Sequence, residues 1–320
     1  MKRNIGAILF SVILISVITF PFLWLLLGSF KTMKELFSVP IRFFPEHISL
    51  DNYIAVFKAQ PFGLYLYNSI VIALLGTVLV VVASAMASYS LARIPIKGKK
   101  LVLILVLTVS LLPPVTLLNP IYQTMSNIGL LNTKIGVAVV LAAIELPTAV
   151  WLLTSFFQSI PIEIEESAML DGASMVGGFV RVVVPLVMPG VFTVSIMTFL
   201  AVWNNFIFPS VLNQSKSART VTIALTMFET ETYTPWHIIS AAAIIASVPL
   251  IIVVLLLQKR IVSGMIEGGV KGRSFHCLLC VIHKTFHGSC EMTLLIVSNT
   301  NLLKIRCFQL AIKGTLNIHG

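Results

Sequence analysis

Six apolar runs constrain this chain more than any other feature: Ile5 to Leu27, Tyr67 to Leu91, Leu101 to Tyr122, Ile135 to Phe157, Pro189 to Leu212 and Ile238 to Leu257. A helix of about 20 apolar residues crosses the roughly 30 Å hydrocarbon core of a bilayer. Inside lipid every backbone amide needs an internal partner, and these runs lack the alternation of barrel strands, so helices are the expected solution. Composition agrees, because 57% hydrophobic and 11% charged residues leave too little polar surface to solvate a globule. The expected fold class is an all-α polytopic membrane protein with six transmembrane helices and a cytoplasmic helix between the fourth and fifth.

Lys2 and Arg3 precede the first run, as in a secretion signal. Its length, Pro21, Trp24 and the want of a small-residue cleavage site favour a retained anchor. The short connection "RIPIKGKK" carries Arg93, Lys97, Lys99 and Lys100, and short basic loops stay cytoplasmic. That orientation puts both termini inside. Lys31, Lys34, Arg42 and Lys58 argue the other way, since they fall in the longer first loop, which is then external. The formal net charge of +10 reads as topology signal and headgroup attraction; without a basic stripe interleaved with aromatics, no nucleic-acid partner is expected.

Between the fourth and fifth runs stands "EESAMLDGASMVGGFVRVVVPLVMPG", Glu165 to Gly190. Pro161 suits a first helical turn, and Glu163, Glu165 and Glu166 suit its positive N-terminal end. Asp171 and Gly172 then end the run, because glycine enters the left-handed region freely. Ile164, Ala168 and Asp171 share one side at helical spacing, and Ile162, Glu166 and Met169 another. Pro185 and Pro189 are expected to keep the second piece from merging with the next membrane helix, leaving a small amphipathic knob on the membrane surface. Residue chemistry alone leaves a solvated connecting loop equally open.

The spacing of this stretch resembles the cytoplasmic signature of binding-protein-dependent ABC importer permeases: Glu-Ala-Ala, three residues, Gly, nine residues, Ile, one residue, Leu-Pro. Glu166, Ser167 and Ala168 fill the triplet, Gly172 the glycine, and Val182, Val184 and Pro185 the end, with Ser167 and the valines as departures. "LPTAVWLLTSFFQSIP", "FLAVWNNFIFP", "LPPVTLLNPIY" and "FFPEHISLDNYIAVF" are similar to the carbohydrate branch, the maltose-permease-like second subunit. The resemblance covers Met1 to Gly272.

It implies that the loop, about residues 159–189, is a coupling helix docked on a cytoplasmic ATPase, with Glu165, Glu166, Ser167, Ala168, Asp171, Gly172 and Pro185 as coupling residues. It also implies a second permease subunit, two ABC ATPase subunits and an external solute-binding protein, in a bacterial or archaeal cytoplasmic membrane. The chain has no Gly-rich phosphate loop ending in Gly-Lys-Ser/Thr, so ATP and Mg are expected on the ATPase partner. A proton-driven carrier needs ionisable residues through the bilayer, and Glu145 is the only acid inside an expected span. The expected function is therefore sugar or oligosaccharide import by alternating access. Another polar solute such as a glycerol phosphate, or a non-conducting scaffold role, are the alternatives.

Glu145, before Pro147, either lines a polar path or sits neutral against a neighbour. Asn204 and Asn205, after Trp203, face protein or water, as interhelical hydrogen bonders or as path lining. Pro113, Pro114 and Pro120 are expected to kink the third span. Gly76, Ala83, Ser84, Ala87 and Ser88 in the second span allow close helix approach. His47 and His237 stand alone without a nucleophile pattern, and no catalytic site is expected.

Composition shifts after Gly272, where all four cysteines lie. Residues 1–272 form the expected permease domain, and 273–320 read as an atypical tail, either disordered or from an altered, read-through or fused frame. Cys277, Cys280, His283, His287 and Cys290 invite a zinc reading, but two residues between Cys280 and His283 leave little room for the usual intervening turn. No metal site is expected.

Overall fold

The computed structural model describes residues 5–95, 98–229 and 234–269, and these contain helices and connections but no strand. The first helix, α1 (Ile5–Ser29), is followed by a short α2 (Met33–Leu36) and by α3 (Asp51–Ala59). The long α4 (Phe62–Arg93) turns at left-handed Gly98 into α5 (Lys99–Ser110). A single 3₁₀ turn, Pro114–Leu117, leads into α6 (Leu118–Asn127). Next come α7 (Lys134–Ser159), α8 (Glu163–Leu170) and α9 (Met175–Gly178), which passes through a π-turn, Phe179–Val183, into α10 (Val184–Asn204). Two short helices, α11 (Ile207–Leu212) and α12 (Val221–Thr226), precede α13 (Trp236–Gly269).

Among the described residues, five stretches are long and apolar enough to cross a membrane: Leu9–Ser29, Phe62–Arg93, Lys134–Ser159, Val176–Asn204 and Trp236–Leu257. The pair Leu101–Ser110 and Pro114–Asn127 makes a sixth if taken as one bent span. The expected third span is thus broken: its halves meet at 88°. Pro113 and Pro114 withhold two successive amides, so the helical ladder cannot run through them.

The fifth span also departs from expectation. It begins near Val176 and ends at Asn204, while Ile207–Leu212 forms a separate helix. Pro185 lies in the first turn of α10, where its missing amide costs little, and the π-turn carries the chain into that helix without a break. The second piece of the loop therefore continues into the membrane helix, and only the first piece stands apart.

The core forms where α4, α7, α10 and α13 pack. Ile72 and Ala73 of α4, Ala138 and Leu141 of α7, Phe199 and Val202 of α10, and Ala241 and Ala242 of α13 are buried together. Small residues set the spacing: Gly76, Ser84 and Ser88 of α4 are buried, whereas Ala83 points outward. Toward the C-terminal ends of α4 and α7 a second cluster gathers Val80, Leu153, Phe157, Val183 and Val187. This cluster is the floor on which the loop rests. In contrast, none of the most apolar window of α1 is buried within the chain, although the helix lies along α13.

At the opposite end α1, α2 and α3 are knitted by polar contacts. Ser29 and Tyr53 share a hydroxyl hydrogen bond of 2.7 Å, and the Asn52 amide donates to the carbonyls of Ser29 and Lys31 at 2.8 and 2.9 Å. Lys31 is buried; its ammonium donates to the Arg42 carbonyl and lies 5.0 Å from the Trp24 ring centroid. Arg42 in turn pairs with Glu46.

Candidate functional site

Local chemistry builds the loop as two unequal pieces. Pro161 lies just before α8 rather than inside it, and Glu163, Glu165 and Glu166 occupy the first turn, where carboxylates face the positive helix end. The helix stops in a Schellman motif: the Ala173 amide donates to the Ala168 carbonyl and the Gly172 amide to the Met169 carbonyl, both at 3.0 Å. Gly172 adopts φ +90°, a conformation that a side chain disfavours. After it, the Ser174 hydroxyl accepts from the Gly177 amide at 3.1 Å and starts α9.

The exposed face of this loop is both acidic and apolar. Glu163, Glu166, Ser167, Asp171 and Gly172 are exposed, Ala168 is half-buried, and Ile162, Ile164, Met169, Leu170 and Val176 expose apolar side chains. Leu170 is 89% exposed and Val176 72%. Apolar groups displayed together in this way are characteristic of surfaces that contact another protein or lipid. Pro185, expected among the loop's working residues, is exposed in the first turn of α10.

Glu165 behaves differently from its neighbours. Its carboxylate turns inward, where the guanidinium of Arg93 pairs with it through Nε and Nη2, the two side chains being 11% and 6% exposed. The Tyr89 hydroxyl donates to the other carboxylate oxygen at 3.1 Å, and Arg93 Nη1 donates to the Ile160 carbonyl at 3.1 Å. Tyr89 also packs its ring 4.6 Å from that of Phe179 in the π-turn and 5.8 Å from that of Phe157 of α7. Residues of α4, α7, α8 and the π-turn thus converge on one buried cluster. Arg93, expected only as a loop charge, and Tyr89, with no expected role, both join this site. Glu165 and Arg93 lie 72 positions apart, so helical periodicity carries no trace of their pairing.

The four residues expected on a path are dispersed. Glu145 is half-buried about midway along α7, without a hydrogen-bond or ion-pair partner among the described residues. Trp203 is 4% exposed and stacks on Phe199 with centroids 5.9 Å apart, which makes it a packing residue within this chain. Asn204 closes α10 and is exposed, while the Asn205 side chain accepts from the Phe208 amide at 3.2 Å and starts α11.

Beyond Asn205, the segment before α12 is pinned rather than loose. The Asn68 amide donates to the carbonyls of Ser217 and Arg219, and the Asn213 amide to that of Ala218, each at 2.9 Å. Ser69 accepts from the Val221 amide at 2.8 Å. A polar cleft of about 490 Å³ opens there between Ser210, Asn213, Gln214, Arg219, Ile223 and Met227.

Among the described residues no group of three or more His, Cys, Asp and Glu side chains is arranged to hold a metal. Cys277, Cys280, His283, His287 and Cys290, with the whole tail 273–320, lie outside the described residues.

The family described as binding-protein-dependent transport system inner membrane component matches residues 80–267. The sulfoquinovosyl glycerol transport system permease protein of Agrobacterium fabrum is 40% identical over 253 residues, covering 79% of this chain and 89% of that one. The trehalose/maltose transport system permease protein of Thermococcus litoralis is 34% identical, covering 84% and 95%. A solved bacterial ABC transporter involved in the import of the acidic polysaccharide alginate has the same fold, with a TM-score of 0.69 at 20% identity, covering 80% of this chain and 94% of that one.

Proposed function

The chain belongs to the family of binding-protein-dependent transport system inner membrane components, and from that premise we propose that it is the sugar-translocating permease subunit of an ATP-driven importer. It is a multi-pass protein of the inner membrane. The solute is a sugar or oligosaccharide, the class named for its relatives, which carry sulfoquinovosyl glycerol, trehalose and maltose. A glycerol phosphate and a non-conducting scaffold are the less favoured alternatives.

The end of the bundle bearing Arg93, Lys99 and α8 faces the cytoplasm. Lys99 supports this through the charge rule for short loops. One of the opposing charges is not a surface charge, since Lys31 is buried against Trp24. Both termini then lie inside.

One observation carries the mechanism: α8 stands clear of the bundle, acidic and apolar on its exposed face, yet is tied beneath to α4 and α7. Such a helix suits a docking handle. Two cytoplasmic ATPase subunits bind ATP and Mg, and their closure moves Glu166, Ser167, Ala168 and Asp171 with Gly172 as the hinge. A second permease subunit completes the path, covering the unpartnered apolar faces, and an external binding protein delivers the solute. Asn204 and Asn205 stand at the outer mouth, and Glu145 contributes a polar group midway. Residues 1–272 make up the permease domain, and 273–320 are dispensable.

Reconstitution of the complete transporter in vesicles tests this reading. Glu166→Lys or Gly172→Pro is expected to abolish ATP-dependent sugar uptake or to release the ATPase subunits. Uptake and assembly intact in both variants would refute it. A chain ending at Gly272 should transport normally.

A further inference from the structure

The loop has two mechanical connections to the bundle, and they differ in stiffness. Toward α10 the chain first passes through Gly172 at φ +90°, a left-handed position between two helical pieces, and only then enters the continuous run of α9, the π-turn and α10. Toward α7 only Ile160, Pro161 and Ile162 intervene, and side chains bridge that short gap. Arg93 holds the Glu165 carboxylate and the Ile160 carbonyl together, so one guanidinium clamps the start of α8, the end of α7 and its own α4. Tyr89, one turn back on α4, secures the second carboxylate oxygen.

We propose that Arg93 and Glu165 form a strut that fixes α8 to the ends of α4 and α7, so that these three elements move as one body while α10 follows through the glycine hinge. Both are positioning residues for the transport stroke. The proposal rests on the reading of α8 as the ATPase handle and adds the direction in which the handle pulls. A planar guanidinium satisfies two acceptors at fixed angles, which an exposed lysine ammonium does not do. With both side chains nearly buried, solvent screening does not dissolve the pair as it would on a surface. Force applied to the exposed face of α8 therefore reaches α4 and α7 first. Among the described residues those two helices share the most extensive packing, and so carry the motion through the membrane.

The test uses the full chain in the complete transporter, with Cys277, Cys280, Cys290 and Cys307 replaced by serine and nitroxide labels on introduced cysteines. Ser167→Cys with Met86→Cys reports α8 against α4, and Ser167→Cys with Leu186→Cys reports α8 against α10; all three positions are exposed or project from the bundle. The first distance is expected to stay constant between nucleotide-free and ATP-trapped states, while the second shifts. Arg93→Gln broadens the first distribution, and in assembled complexes Arg93→Gln and Arg93→Lys lower solute imported per ATP hydrolysed by at least about fivefold. A first distance that changes with nucleotide overturns the strut, as does unaltered coupling in both variants. The parent measurement needs no variant of the pair, so a poorly folding Arg93→Gln leaves the test intact. A Ser167 label whose mobility ignores added ATPase subunits sinks the docking reading; one that is immobilised while the first distance changes sinks the strut alone.

Discussion

The Ser88 hydroxyl of α4 donates to the Val150 carbonyl of α7 at 2.9 Å, and the same carbonyl accepts from the Thr154 hydroxyl at 2.7 Å. Ser88 is fully buried, so a residue of this size is needed both for the bond and for the approach of the two helices. Ser88→Ala is expected to cost about 0.6 kcal/mol, the usual worth of an interhelical bond in a membrane. Ser88→Leu, which forces the helices apart, should cost about 1–3 kcal/mol. Thermal unfolding in detergent ranks the two.

Gly190 of α10 lies so close to the Phe156 ring of α7 that an added Cβ would overlap it. Gly190→Ala should therefore destabilise by about 1–3 kcal/mol, as overpacking does. Gly63, also helical but with open space around it, provides the control, and Gly63→Ala is expected to be neutral or slightly stabilising by the same assay.

At Gly172 the cost is conformational, since nothing lies within 4 Å of an added Cβ but φ is +90°. Gly172→Ala should lose about 1 kcal/mol and Gly172→Asn less, because asparagine tolerates the left-handed region. Hydrogen exchange at the Asp171 to Ala173 amides would rise in the alanine variant if the Schellman turn is strained.

Glu35 in α2 supplies the one pH-dependent expectation outside the spans. The Thr32 amide, 2.6 Å from its carboxylate, holds the Glu35 pKa below the ordinary carboxylate range, with slight burial opposing. A depressed folded-state pKa means that the capping contribution is present above the unfolded value of about 4.3 and is lost as pH falls through the folded one. Glu35→Gln should thus be less stable than the parent at pH 7, with the gap closing in acid. A gap that widens in acid would contradict the assignment.

The sequence was legible where chemistry is local. Apolar length located the first, second, fourth and sixth spans, and the Asp171–Gly172 pair located the stop of α8. Proline signalled position but not consequence. Pro113 and Pro114 turn the third span through 88°, a bend larger than the expected kink, whereas Pro185 breaks nothing because it fell in a first turn. Glu165 shows the deeper limit. Its three-residue neighbourhood matches Glu163 and Glu166, and only the return of α4 to the loop, bringing Arg93 and Tyr89, separates a buried anchor from two exposed acids. Trp203 is similar, since its burial against Phe199 depends on the packing of α10 in the bundle rather than on its motif.

As a docking handle, α8 is gripped on its exposed face by the ATPase subunits. A photo-crosslinking residue in place of Ser167, in the purified complex with its ATPase subunits, measures this directly. The account predicts a covalent adduct with an ATPase subunit, whose yield changes when ATP is trapped. Labelling only by lipid, or an adduct only with the external binding protein, would contradict it.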